Sequence, residues 1–212
     1  MRRCTVIIPA YNEEAVIGRC LSALLADAPS DHGMEIIVAA NGCRDETVGK
    51  AREAAPGVRI IGLEEGSKTR AINAANAIAS HYPRVFVDAD VICSYTTIMA
   101  LVEALDDPDA MTAAPAIRMQ LREADPFVRA YFRVWLTQPY ALAGYGGAGC
   151  YALSRTALEE VGPFPDIIGD DIWIHTRFPK SQKRYVSHDA KGNPVFTVVM
   201  PPRSATAQIG LE

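Results

Sequence analysis

The chain has 212 residues, 49% of them hydrophobic, 22% charged and 8% aromatic, with a formal net charge of −4. That length suits one complete core and is short for two, and the composition excludes disordered and fibrous classes. The net negative charge argues against a nucleic-acid binder, which needs a basic face to collect phosphates.

Met1 to Cys4 lead directly into the apolar run Thr5 to Ile8, which reads as a first strand and leaves no room for a signal peptide. A helix is expected from about Glu13 to Ala26, because Val16, Ile17, Cys20, Leu21, Leu24 and Leu25 fall on one face. Glu35 to Val38 reads as the second strand and Asp45 to Ala55 as its helix, stopped by Pro56-Gly57. Val58 to Ile61 and Val85 to Val87 are two further strands, separated by a helix over Lys68 to Ser80. Such alternation of β-branched runs with helical periods predicts βα units around a mostly parallel sheet.

Beyond Asp90 the rhythm changes. A helix is expected near Thr96 to Leu105 and a strand near Met111 to Ala116, then an aromatic segment from Phe127 to Tyr140. Cys150 to Leu153 reads as a strand, Arg155 to Val161 and Ile172 to Phe178 as helices, and Tyr185 to Ser187 as a last strand. No apolar run approaches the roughly 20 residues of a membrane span. The five cysteines are scattered without a CxxC pair and read as thiols in a reducing compartment. The expectation is a cytoplasmic protein; the aromatic and arginine-bearing segment Pro126 to Ala143 reads as core packing at helical spacing, with an amphipathic surface for peripheral contact with the inner face of a membrane as the alternative.

In an open parallel sheet, ligands bind beyond the carboxyl ends of the strands. Three predicted strands end in informative residues: Pro9-Ala10-Tyr11-Asn12-Glu13-Glu14, Asn41-Gly42-Cys43-Arg44-Asp45 and Asp88-Ala89-Asp90. On an extended backbone Asp88 and Asp90 share a face, where they can hold a hard divalent cation that bridges phosphate oxygens. Asp107-Pro108-Asp109 has the same form, but it follows a helix in a proline turn and reads as solvated loop. Gly144 to Gly149 satisfies GxGxxG, yet it precedes a strand instead of joining strand to helix. That is the wrong context for a dinucleotide cradle, and close backbone approach to a sugar or acceptor suits those glycines better.

VIIPAYNEE (Val6 to Glu14), NGCRDET (Asn41 to Thr47), GSKTRAINAA (Gly66 to Ala75), VDAD (Val87 to Asp90) and GDD (Gly169 to Asp171) occur in the order and spacing of the family 2 glycosyltransferases, which the chain resembles over roughly residues 4 to 178. The resemblance implies a GT-A fold, a Rossmann-like sheet flanked by helices. It implies one domain over residues 1–212, with a nucleotide-sugar half (1–90) and an acceptor-side half (91–212). By that likeness Pro9, Ala10, Tyr11 and Glu13 would hold the nucleoside, with Asn41 and Ala89 among the donor contacts. Lys68 would steady the base or diphosphate, Asp88 would meet the ribose, and Asp90 would bind magnesium or manganese, with His188 as a further metal ligand.

The acidic pair Asp170-Asp171 stands where the family keeps its catalytic base, and Asp171 is the candidate. An acceptor hydroxyl must lose a proton as it attacks the anomeric carbon. The same acids also suit a helix start, and both roles are compatible. His175, one turn further on, is placed to orient the base. The implied reaction is a metal-dependent single displacement with inversion. Its partners are a nucleotide-sugar donor and a sugar, lipid-linked or small-molecule hydroxyl, in polysaccharide or glycolipid assembly. Ala40-Asn41 stands where many relatives carry two aspartates, and no Gln-x-x-Arg-Trp motif follows Asp171, which argues against processive synthesis. Arg203 is a candidate for an added positive charge on the diphosphate. Two alternatives are a sugar-phosphate nucleotidyltransferase, whose usual glycine-rich GxGTR-like loop is missing after the first strand, and a non-catalytic nucleotide-binding scaffold.

Overall fold

The computed structural model describes residues 2–122, 124–138 and 149–200. Its first half repeats strand and helix: β1 (Cys4–Ala10), α1 (Ile17–Leu25), β2 (Met34–Asn41), α2 (Thr47–Ala54), β3 (Arg59–Leu63), α3 (Lys68–Ile78) and β4 (Arg84–Val87). These four strands are parallel neighbours in the order β3-β2-β1-β4. β1 is buried along its whole length, so its side chains serve two cores. Val6 and Ile8 pack toward α1, while Ile7 packs toward α3 with Ile37, Ile72 and Phe86. Burial on both faces is why this strand reads as a continuous apolar run and not as an alternating one.

The second half adds β5 (Ile92–Cys93), α4 (Tyr95–Ala104), β6 (Thr112–Met119), α5 (Pro126–Trp135), β7 (Cys150–Leu153), α6 (Arg155–Val161), α7 (Asp170–Arg177), β8 (Lys183–Val186) and β9 (Phe196–Val199). β7 lies antiparallel between β4 and β6, β8 and β9 both run parallel to β6, and β5 closes on β9 antiparallel. The sheet is mostly parallel and flanked by helices, as the alternation predicts.

Among the differences from the sequence reading, three have a clear physical reason. α1 starts at Ile17 and not near Glu13, because Asn12 is left-handed (φ 55°) and the Glu13 carbonyl closes a turn onto the amides of Val16 and Ile17. Asp88 to Asp90 is not extended strand: the Val91 amide donates to the Asp88 carbonyl at 3.1 Å, so the acids sit on a tight turn. The alternate-face argument for that pair therefore does not apply. β9 is missed altogether, since its four residues follow an exposed loop and derive their order from pairing with β6 and β5.

Candidate functional site

The carboxyl ends of β1, β2 and β4 open on one edge of the sheet, where strand order reverses between β1 and β4. That reversal point is where open α/β sheets bind ligands. A cavity of about 650 Å³ lies there, lined by Pro9, Tyr11, Glu13, Asn41, Gly66, Lys68, Asp88, Ala89 and Asp90. Of the donor-side residues named from the sequence, Ala10 alone does not line it. Ala10 is buried, and its carbonyl accepts the Asn41 side-chain amide at 3.0 Å.

Two loops build the cavity floor by interlocking. The Glu13 amide donates to the Thr47 hydroxyl at 2.7 Å, the Glu14 amide to Asp45 at 3.0 Å, and the Arg44 amide to the Asn12 side chain at 2.9 Å. Much of NEE and of RDET therefore serves to hold these loops together. Gly42 (φ 74°) needs its lack of a side chain, since a methyl there would come 2.9 Å from the Gly66 backbone. A methyl at Gly66 would come 3.1 Å from the Tyr11 ring, so the ring, itself 56% exposed, lies close against this glycine.

A second cavity of about 670 Å³ adjoins the first and shares Gly66 and Lys68 with it; Asp170 and Asp171 line it. The joint between the two is an ion-pair clamp. Lys68 Nζ sits 2.6 Å from Asp88 Oδ1 and 2.8 Å from Asp170 Oδ1. Lys68 is the first residue of α3, the helix end where a cation is least favoured. Burial also acts to lower its pKa, yet Asp88 and Asp170 together raise it. The Tyr151 hydroxyl donates to Asp170 Oδ2 at 2.7 Å, completing the partners of a carboxylate that is 1% exposed.

The segment before α7 is fastened to α3 by Asn73, whose side chain accepts from the Phe164 amide and donates to the Phe164 carbonyl, each at 2.8 Å. Gly169 (φ 82°) then turns the chain into α7. Asp170 is thereby pointed inward to Lys68, while Asp171 stays partly exposed, its Oδ1 accepting the Ile172 amide at 2.8 Å. Both acids occupy the first turn of a helix, where the macrodipole favours anions. The sequence reading missed Tyr151. Its signal was a tyrosine in an otherwise apolar strand, since a buried phenol usually finds a polar partner.

Charge accumulates in the first cavity. Burial raises the Glu13 carboxyl to about 7, with Asp90, Asp88 and Asp45 adding to the effect. Burial likewise raises Asp88 to about 6, against the lowering by Lys68. Asp88 still keeps 37% of its side-chain surface open, so its desolvation comes from the protein walls around an open face. Asp90 is exposed at the rim. These hard oxygen donors and the surplus negative charge suit a divalent cation.

His188 does not join them. It is exposed, lines neither cavity, and its ring meets the Ser187 hydroxyl at 3.0 Å. Among the described residues no three His, Cys, Asp or Glu side chains assemble as a metal group, so the expected trio of Asp88, Asp90 and His188 is not brought together. Asp107 pairs with Arg184 at 2.6 Å in an exposed turn, as the solvated reading has it. Of the GxGxxG run only Gly149 is described, and Tyr140 and Arg203 also lie outside the described residues.

A family model described as glycosyl transferase family 2 matches residues 5–161, about three quarters of the chain. The chain belongs to glycosyl transferase family 2. It is thus a glycosyltransferase by family, and the nucleotidyltransferase alternative falls. Its fold is shared with glucosyl-3-phosphoglycerate synthase from Mycobacterium tuberculosis, solved with Mn2+, UDP and glucosyl-3-phosphoglycerate: TM-score 0.63, 25% identity, covering 87% of this chain and 69% of that one. A mannosyltransferase from Pyrobaculum calidifontis, solved with GDP-Man and Mn2+, aligns with TM-score 0.67 and 24% identity, covering 94% of this chain and 57% of that one. The Mycobacterium enzyme has also been solved with Mg2+ and UDP, at TM-score 0.61, 23% identity, and coverage of 87% and 69%. No curated protein sequence matches the chain. Among the described residues, no helix of this family 2 member is long and apolar enough to cross a membrane.

Proposed function

We propose that the chain moves one sugar from a nucleotide-diphosphate sugar to an acceptor hydroxyl by a single displacement with inversion. The observation that carries this is the Lys68 clamp, which makes two cavities share one wall, with Asp88 and Asp90 on one side and Asp171 on the other. The donor lies in the first cavity, with Tyr11, Glu13 and Asn41 toward the nucleoside and Asp88 toward the ribose. Asp90 and Asp88 would hold a magnesium or manganese ion, which would supply charge neutralisation for the departing diphosphate. Asp171 takes the proton of the acceptor hydroxyl as its oxygen attacks the anomeric carbon opposite the diphosphate. The new C–O bond forms as the bond to the diphosphate breaks, and the nucleoside diphosphate leaves.

Asp170 is unsuited to the base role, since both its oxygens are engaged by Lys68 and Tyr151. The polysaccharide or glycolipid setting, at the cytoplasmic face of a membrane, is supported by α5. That helix exposes Phe127, Tyr131 and Val134 beside Arg129 and Arg133. The whole described chain serves this one activity as one unit.

The test is a thermal-shift panel of UDP, GDP, TDP and CMP compounds with and without metal, then donor turnover for wild type and Asp171→Asn. Loss of a general base lowers the rate roughly 10²- to 10⁴-fold, with donor binding intact. If both proteins bind donor and neither turns it over with any acceptor or water, the scaffold alternative holds instead.

A further inference from the structure

Resting on the transferase reading, we infer that the second cavity takes an uncharged polyhydroxy acceptor, a sugar or polyol, and disfavours acceptors with a phosphate or carboxylate close to the reacting hydroxyl. Its described lining contains two cations, Lys68 and Arg70, against four carboxylates, Glu65, Asp166, Asp170 and Asp171. Both cations are already engaged. Lys68 lies between Asp88 and Asp170, and Arg70 lies between Glu65 and Asp166, with Nη2 4.0 Å from the latter.

The two engagements differ in strength, and the difference matters. The Arg70 pairs are exposed on both sides and contribute little each. An anion can compete there, yet two carboxylates remain within reach of the same guanidinium. Lys68 cannot turn away, because that strands the Asp170 charge in a site 1% exposed. An anionic acceptor therefore finds no uncommitted cation among the described residues of this lining and meets an acidic wall. Hydroxyl groups meet the opposite situation, since carboxylates are strong acceptors for O–H donors. Ile168, fully exposed on the same lining, offers an apolar surface to the C–H face of a ring.

The experiment uses matched pairs that differ only in charge: glucose against glucose 6-phosphate, and glycerol against glycerol 3-phosphate. The donor is the nucleotide sugar that the thermal-shift panel selects, with Mg2+. The neutral member of each pair is expected to show at least about tenfold higher kcat/KM. Glu65→Gln with Asp166→Asn releases Arg70 and should narrow or invert that ratio. Adding Arg70→Ala to the pair should restore the preference. Donor-dependent thermal stabilisation shows that each variant is folded. Equal or faster transfer to the phosphorylated members by wild type overturns the inference, as does a ratio unmoved by releasing Arg70. Absence of any donor binding or turnover overturns the transferase reading, and this inference with it.

Discussion

Tyr151 and Asp170 meet across 2.7 Å, the phenol donating to one oxygen of a carboxylate whose other oxygen lies 2.8 Å from Lys68. The phenol ring is itself stacked on Phe86 at 4.9 Å between centroids, so β4 and β7 together aim the hydroxyl. Tyr151→Phe keeps the stack and leaves Asp170 Oδ2 without its donor. A buried acceptor so exposed costs about 1–3 kcal/mol, and in a chain of this size each kcal/mol lowers Tm by roughly 2–4 °C. Calorimetry should show that drop; a Tm unchanged from wild type would mean that the bond contributes nothing.

Gly149 tests the other side of the same turn. Its φ of 55° is left-handed, and a methyl there would come 2.4 Å from Val91 and 3.3 Å from Asp88 Oδ2. Its carbonyl also accepts the Asp88 amide at 2.7 Å. Gly149→Ala is expected to cost about 1–2 kcal/mol for the backbone conformation alone, with a further steric part. Donor-dependent stabilisation should weaken too, because moving Val91 and Gly149 apart shifts the turn that carries Asp88. Adding Val91→Ala should recover the steric part only. Full recovery, or no initial loss, contradicts this account.

The donor-side half was largely legible in sequence because its elements are locally encoded. β1, β2 and β4 are apolar runs followed at once by polar residues, and parallel pairing brings those ends to one edge. What was not legible depended on contacts distant in the chain. Nothing near Lys68 announces that it will bridge Asp88 and Asp170, some twenty and one hundred residues away. The turn at Asp88 to Asp90 was hidden because Gly149, sixty residues on, accepts the Asp88 amide. β5 is two residues long, too short for a period to show, and β9 owes its order to pairing with β6 and β5, both distant in the chain. His188 was named on type and position alone, and neither reports where a side chain ends up.

His175 gives a pH dependence with a definite sign. Burial, reinforced by Lys183, lowers its pKa from 6.5 to about 4, while Asp171 pulls the other way. Between about 4 and 6.5 the unfolded chain binds a proton that the folded chain refuses, so stability is lost as pH falls through that window. His175→Gln removes this contribution. The difference in Tm between variant and wild type should therefore shift in the variant's favour as pH drops from 7 to 4.5. A difference constant over that range would show that His175 titrates alike in both states. Raised carboxyls such as Asp88 and Glu13 act with the opposite sign in wild type and variant alike, and cancel in the comparison.

The proposed cation site turns on Asp90. It is the exposed acid of the first cavity, whereas Asp88 is engaged by Lys68 and Glu13 is held toward neutrality by burial and by Asp90 itself. A divalent ion beside Asp90 offsets that surplus charge and should stabilise the fold in proportion to the logarithm of its excess over Kd. Melting curves titrated with Mg2+ or Mn2+ at fixed nucleoside diphosphate are expected to rise with metal and to fall back on chelation. Asp90→Asn should need at least about tenfold more metal for the same shift. Asp109→Asn, in the look-alike Asp107-Pro108-Asp109, serves as the control and should leave the titration unchanged. If both variants follow wild type, the ion is not held at Asp90, and Lys68 is the cation of the described lining left to meet the charge on the leaving diphosphate.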